Sequence, residues 1–131
     1  MSNKPEKTIE EIIAADGRYC LEGVRFVREG LSYTMDKFFS DKKTTGGPQH
    51  VSGAQLCQGL RQLAIERWGL LARKVLQRWN ITTTRDFGEI VFLLVNNDWL
   101  KKEPHDCIED FDDIYDFEEA FDEHFDISLD N

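Results

Sequence analysis

The sequence predicts an all-α protein: a single compact domain of about five or six helices, with an acidic, aromatic-rich C-terminal segment packed on it. Three observations carry this. Apolar residues recur at spacings of three and four along most of the chain, and no stretch of useful length alternates as a strand would. Capping patterns, Thr8-Ile9-Glu10-Glu11 and Ser52-Gly53-Ala54-Gln55, stand directly before such stretches. At 131 residues the chain has the size of one domain, able to bury roughly two-thirds of its unfolded surface. Residues 1–131 are therefore read as one unit, with 1–7 a flexible polar lead and 101–131 an ordered acidic segment.

After Thr8, a short helix through Ala15 places Ile9, Ile12 and Ile13 on one side, and Asp16-Gly17 breaks it. From about Arg18 to Phe39, Val24, Val27, Leu31, Met35 and Phe38 form one helical stripe, and Tyr19, Gly23, Phe26, Gly30 and Tyr33 a second. Two stripes predict a helix covered on two sides, and Gly23 and Gly30 either sit where a neighbour approaches closely or are merely tolerated there. Residues 40–51 have loop composition. The helix opened by Ser52 turns Leu56, Leu60, Leu63 and Ala64 inward and ends or bends at Gly69. A helix at about 70–79 is expected to bury Leu71, Val75 and Trp79. Asn80 to Thr84 make a turn with Thr83 or Thr84 as cap, and Phe87, Ile90, Val91, Leu94 and Val95 mark the next helix. Asn96-Asn97-Asp98 stops that helix, so Trp99 and Leu100 fold back. Beyond them, Phe111, Ile114, Tyr115, Phe117, Phe121 and Phe125 interrupt a run of acids, with Asp116-Phe117-Glu118-Glu119 a further helix start. A disordered tail would be poor in aromatics; this one is rich in them.

The net charge of −9 hides a division. Residues 101–131 hold thirteen of the 25 acidic groups against Lys101 and Lys102, a net −11, which leaves +2 on the first hundred residues. Within these, Arg61, Arg67, Arg73, Lys74, Arg78 and Arg85 oppose Glu66 alone. A basic middle before an acidic end predicts a tail that folds back, one that repels polyanions, or two faces for different partners.

Asp86-Phe87-Gly88 spells a kinase signature in a chain too short for a kinase, and Gly46-Gly47-Pro48 lacks the Gly-Lys-Ser/Thr ending of a phosphate loop. A calcium loop counted from Asp110 fails where Ile114, Tyr115 and Phe121 replace two ligands and the obligatory glycine. His105-Asp106-Cys107 has no second ligand cluster at zinc spacing. No cofactor or metal is therefore expected, nor any catalytic residue. The best nucleophilic pair, Cys57 with His50 or His105, is weakened by Cys57 lying beside Leu56 in an amphipathic helix. As the second helix of a DNA-reading pair, the segment after Thr84 would present Arg85, Asp86 and Glu89, two of them repelled by phosphate, which disfavours sequence-specific DNA. Three widely spaced cysteines, a polar N-terminus and no apolar run of membrane-spanning length point to the cytoplasm and away from membranes.

Several strings taken together are distinctive: Asp16-Gly17-Arg18-Tyr19, His50-Val51-Ser52-Gly53, Ala64-Ile65-Glu66-Arg67-Trp68-Gly69, Trp79 to Phe92 with Asn80-Ile81-Thr82-Thr83-Thr84 at its start, and Tyr115-Asp116-Phe117-Glu118-Glu119-Ala120-Phe121. In these the chain resembles the Minf-type family of small bacterial proteins, over about residues 16–125. That resemblance implies that the acidic end belongs to the ordered unit. It brings no established activity, so no residue role is carried over.

The expected role is a non-enzymatic protein-interaction module of the bacterial cytoplasm, binding an unknown protein partner or itself. Its contact residues are Arg61, Arg67, Trp68, Arg73, Lys74, Arg78 and Trp79. RNA or ribosome association, with the tail limiting nonspecific contact, is the alternative. A small hydrolase or transferase is the third reading.

Overall fold

The expected caps form, and each starts a helix. In the computed structural model, which describes residues 5–39, 51–101 and 106–123, the Thr8 hydroxyl accepts the Glu11 amide at 3.0 Å and the Glu11 carboxylate accepts the Thr8 amide at 2.8 Å. This box opens α1 (Ile9–Asp16). Ser52 and Gln55 exchange the same bonds at the start of α3 (Gly53–Trp68). Thr83, rather than Thr84, caps α5 (Thr84–Asn96). Between them lie α2 (Leu21–Phe39) and α4 (Ala72–Arg78), the latter entered through a 3₁₀ turn at Gly69–Leu71. A second 3₁₀ turn (Ile108–Phe111) and a π-helical turn (Glu118–Glu123) follow. The described residues are all-helical, with five α-helices and no strand. Residues 40–50 of the loop expected at 40–51, residues 1–4 of the lead expected to be flexible, Phe125 and all three histidines lie outside the described residues.

The long α2 is covered on two sides along most of its two expected stripes, but Phe38, at the end of the first, is 39% exposed. Val24, Phe26 and Val27 are buried, and α3 packs along it. The approach is close because Gly30 has no side chain: a Cβ there would overlap the Leu60 side chain. The core formed by Phe26, Leu60, Leu76, Ile81, Phe87, Ile90 and Leu94 is fully buried, each such side chain contributing about 1.5–3 kcal/mol of transfer free energy.

Phe111, Phe117 and Phe121 complete this core from the C-terminal side. Rings of Phe117 and Phe121 meet edge to face at 5.1 Å, and Phe117 lies 5.7 Å from Phe87 of α5. The backbone is fixed as well. The buried Thr84 hydroxyl donates to the Phe111 carbonyl at 2.6 Å and accepts the Ile114 amide at 3.2 Å. The Tyr115 hydroxyl donates to the Cys57 carbonyl at 2.7 Å. Residues 106–123 of the acidic segment are thus part of the folded body.

The stripe expected for the helix at 70–79 is corrected as well. Leu71, Val75 and Trp79 do not form the buried stripe of α4. Ala72 and Leu76 do, while Leu71 is 60% exposed and Val75 and Trp79 are half-buried. A seven-residue helix lying on a core buries one stripe, and the 3₁₀ turn at Gly69 sets the phase so that the neighbouring register faces in.

Candidate interaction surface

The basic, tryptophan-bearing region 61–79 lies on the C-terminal half of α3, the 3₁₀ turn and α4. Its cations divide into two groups. Arg61 donates through Nε to the Ala120 carbonyl at 3.1 Å, Arg67 pairs with Glu29 of α2 at 2.7 Å, and Arg73 pairs with Asp122 at 2.7 Å. Asp122 holds the Arg73 guanidinium firmly in its charged form. Lys74 and Arg78 are exposed and have no ion pair among the described residues. The expected meeting of opposed charges therefore engages the flank of α4 that carries Arg73.

Trp68 and Trp79 form a cluster with Phe26, at ring separations of 5.2 Å, 6.0 Å and 5.4 Å. Both indoles are half-buried. They hold α2, α3 and α4 together on one side and show an edge to solvent on the other. Asn80 follows in a left-handed turn (φ 64°), and its amide donates to the Arg18 carbonyl at 3.0 Å, tying the end of α4 to the start of α2.

The outer face of α4 is thereby defined. Leu70 is 58% and Leu71 60% exposed, adjacent on the 3₁₀ turn. Leu71, Val75 and Trp79 follow one another at i, i+4 and i+8, and Leu70, Lys74 and Arg78 run beside them at the same spacing. The result is an apolar strip edged by two cations. Leu70, Leu71 and Val75 are absent from the sequence-based contact set; the spacing of Leu71 and Val75 with Trp79 reads as core, and Leu70 belongs to no expected stripe.

Elsewhere, acids and thiols have structural duties. Asp86 accepts the Tyr19 hydroxyl at 2.6 Å and the Thr82 and Thr83 amides at 2.9 and 3.1 Å, while Phe87 fills the core. Gly88 lies against Phe111, whose ring atoms would be 2.7 Å from any added Cβ. The kinase-like tripeptide is thus a cap, a core ring and a close approach. Arg85 bridges Glu89 and Asp112 at 3.2 and 3.0 Å, and Arg18 joins Glu89 to Asp16. Of the candidate nucleophilic pair, Cys57 is buried beside Leu56 and Leu60, and burial alone pushes its thiol up to about 12. A protonated thiol in that position is a packing group.

A separate cleft of about 400 Å³ lies between α2, α3 and α5, lined by Leu31, Met35, Leu56, Val91, Val95 and Phe111, with Lys101, Asp106, Cys107 and Asp110 at one side. The exposed Cys107 thiol donates to Asp110 at 3.4 Å, and this carboxylate raises its pKa. Among the described residues, no group of three or more His, Cys, Asp or Glu side chains could hold a metal. None of the described helices is long and apolar enough to cross a membrane.

Compared with protein-family models, curated proteins and solved structures, the chain matches none.

Proposed function

We propose that this protein is a non-enzymatic interaction module of the bacterial cytoplasm whose docking surface is the outer face of α4. The observation that carries the reading is the pair Leu70 and Leu71, both more than half exposed beside Lys74 and Arg78. Two adjacent exposed leucines continuing into Val75 and Trp79 form a patch of the kind that marks protein contact sites. Of the sequence-based contact residues, Lys74, Arg78 and Trp79 lie on this face, and Trp68 packs against Trp79 beside it. Arg61, Arg67 and Arg73 act within the chain.

The RNA-associated alternative has less support. Its phosphate contacts would fall to Arg73, Lys74 and Arg78, and Arg73 is held by Asp122. Two remaining cations beside aliphatic leucines make a poor track for a phosphate backbone. Membership of the Minf-type family belongs to the same proposal. In its support, the strings that carry the resemblance have structural uses: Phe87, Gly88, Tyr115, Phe117 and Phe121 join the C-terminal segment to the helices, and Tyr19 and Asp86 join the residues before α2 to α5.

A native pull-down comparing the unaltered chain with a Leu70→Asp, Leu71→Asp variant tests the reading. The unaltered chain should retain a stoichiometric protein partner that the variant loses. Recovery of no such partner, or equal recovery by the variant, contradicts it.

A further inference from the structure

We infer that the occupant of the outer α4 face is an acidic amphipathic segment of a partner protein. The inference rests on the docking reading above and adds the partner's chemistry.

Charge complementarity is the first argument. On a chain of net charge −9, this apolar strip is bordered by cations: Lys74 and Arg78 stand one helical turn apart beside Leu70 and Leu71, without an ion pair among the described residues. A segment carrying carboxylates at i and i+4 next to aliphatic or aromatic residues meets both features at once, the cations fixing its register and the leucines its contact area. A basic segment would bring cation against cation over the same leucines.

The second argument is that the adjoining flank of α4 already holds a segment of this kind. Residues 115–122 of this chain are acidic and aromatic. They seat Phe121 in the core at 1% exposure, place Asp122 on Arg73 at 2.7 Å, and offer the Ala120 carbonyl to Arg61 at 3.1 Å. One flank is closed by an apolar anchor and an acid–arginine contact; among the described residues, apolar and cationic groups on the other stand open. Leu70 and Leu71 are the unfilled apolar element, and Lys74 and Arg78 the unfilled cations.

The test is titration of the full chain, followed by tryptophan fluorescence and calorimetry, with three probes. Two are helical peptides of about 16 residues with identical leucine spacing, one with Glu and one with Lys at its polar positions. The third is an oligouridylate of about 20 nucleotides. The glutamate peptide should bind saturably and at least about tenfold more tightly than the lysine peptide, and should weaken as salt rises. Lys74→Glu with Arg78→Glu should abolish that preference while circular dichroism stays unchanged, since both side chains are exposed. Four results overturn the inference: no saturable binding of the glutamate peptide, equal or tighter binding of the lysine peptide, tighter binding of the oligouridylate that the double charge reversal removes, or a concentration-dependent dimer that Leu71→Asp dissolves. If the peptides fail while the pull-down contrast of Leu70 and Leu71 holds, the acidic chemistry falls and the docking face stands.

Discussion

The Arg73 guanidinium and the Asp122 carboxylate meet at 2.7 Å, joining α4 to the π-helical turn near the C-terminus. Asp122 follows Phe121, which is buried in the core shared by α3, α4 and α5, so the ion pair lies directly over an apolar anchor. Both charged groups are about one-third exposed, and exposed pairs contribute little compared with a filled core site.

That contrast gives the first prediction. Phe121→Ala should lower unfolding free energy by about 3–5 kcal/mol, the usual cost of emptying an aromatic core site. Arg73→Ala should move the denaturation midpoint far less. Guanidinium titrations of the two variants measure this, and a larger loss for Arg73→Ala would assign the docking of the acidic segment to charge.

Gly88 and Phe111 supply a second prediction. Any Cβ on Gly88 must displace the Phe111 ring, so Gly88→Ala should destabilise by about 1–3 kcal/mol despite its better helix propensity. Adding Phe111→Leu should give a double-mutant loss smaller than the sum of the single losses, because the smaller side chain relieves the overlap. Strict additivity in thermal unfolding would show that the two positions do not press on each other.

The buried Cys57 thiol predicts an alkaline weakness. Its folded pKa is raised from 9.0 to about 12 by burial. Below the lower value both the folded and the unfolded thiol are protonated, and the contribution is complete. Between the two values only the unfolded chain releases the proton, so stability falls by up to about 1.4 kcal/mol per pH unit as pH rises. Cys57→Ala should flatten this limb of the stability profile between pH 9 and 12. An unchanged slope would mean that Cys57 does not carry it. Thiol labelling offers a parallel check: exposed Cys107 should react at once and Cys57 only on unfolding.

The phase of α4 can be read from two aspartates. Leu76→Asp places a charge at a fully buried site and should unfold the protein, whereas Leu71→Asp should leave its melting temperature nearly unchanged. Similar losses at the two sites would mean that Leu71 belongs to the core.

Much of the fold was legible because its signals are local. The Thr8 and Ser52 boxes and the 3.6-residue stripes of α2, α3 and α5 need only neighbours in sequence to be recognised. The rings at Phe111, Phe117 and Phe121 likewise announced a buried segment, since a solvated acidic tail has no use for them. The orientation of α4 was not legible. Leu71-Val75-Trp79 and Ala72-Leu76 are both apolar at helical spacing, and only the tertiary turn at Gly69 decides between them. For the same reason Leu71 could not be read as surface. Nor could sequence show which arginines are engaged, because the partners of Arg67 and Arg73, Glu29 and Asp122, lie 38 and 49 residues away.

Photo-crosslinking in the native cell tests the docking claim most directly. With benzoyl-phenylalanine replacing Leu71, and the same group replacing exposed Glu10 of α1 as control, ultraviolet exposure should join one discrete protein to position 71 and none to position 10. No adduct at 71, or the same adduct from both positions, would contradict a docking face on α4.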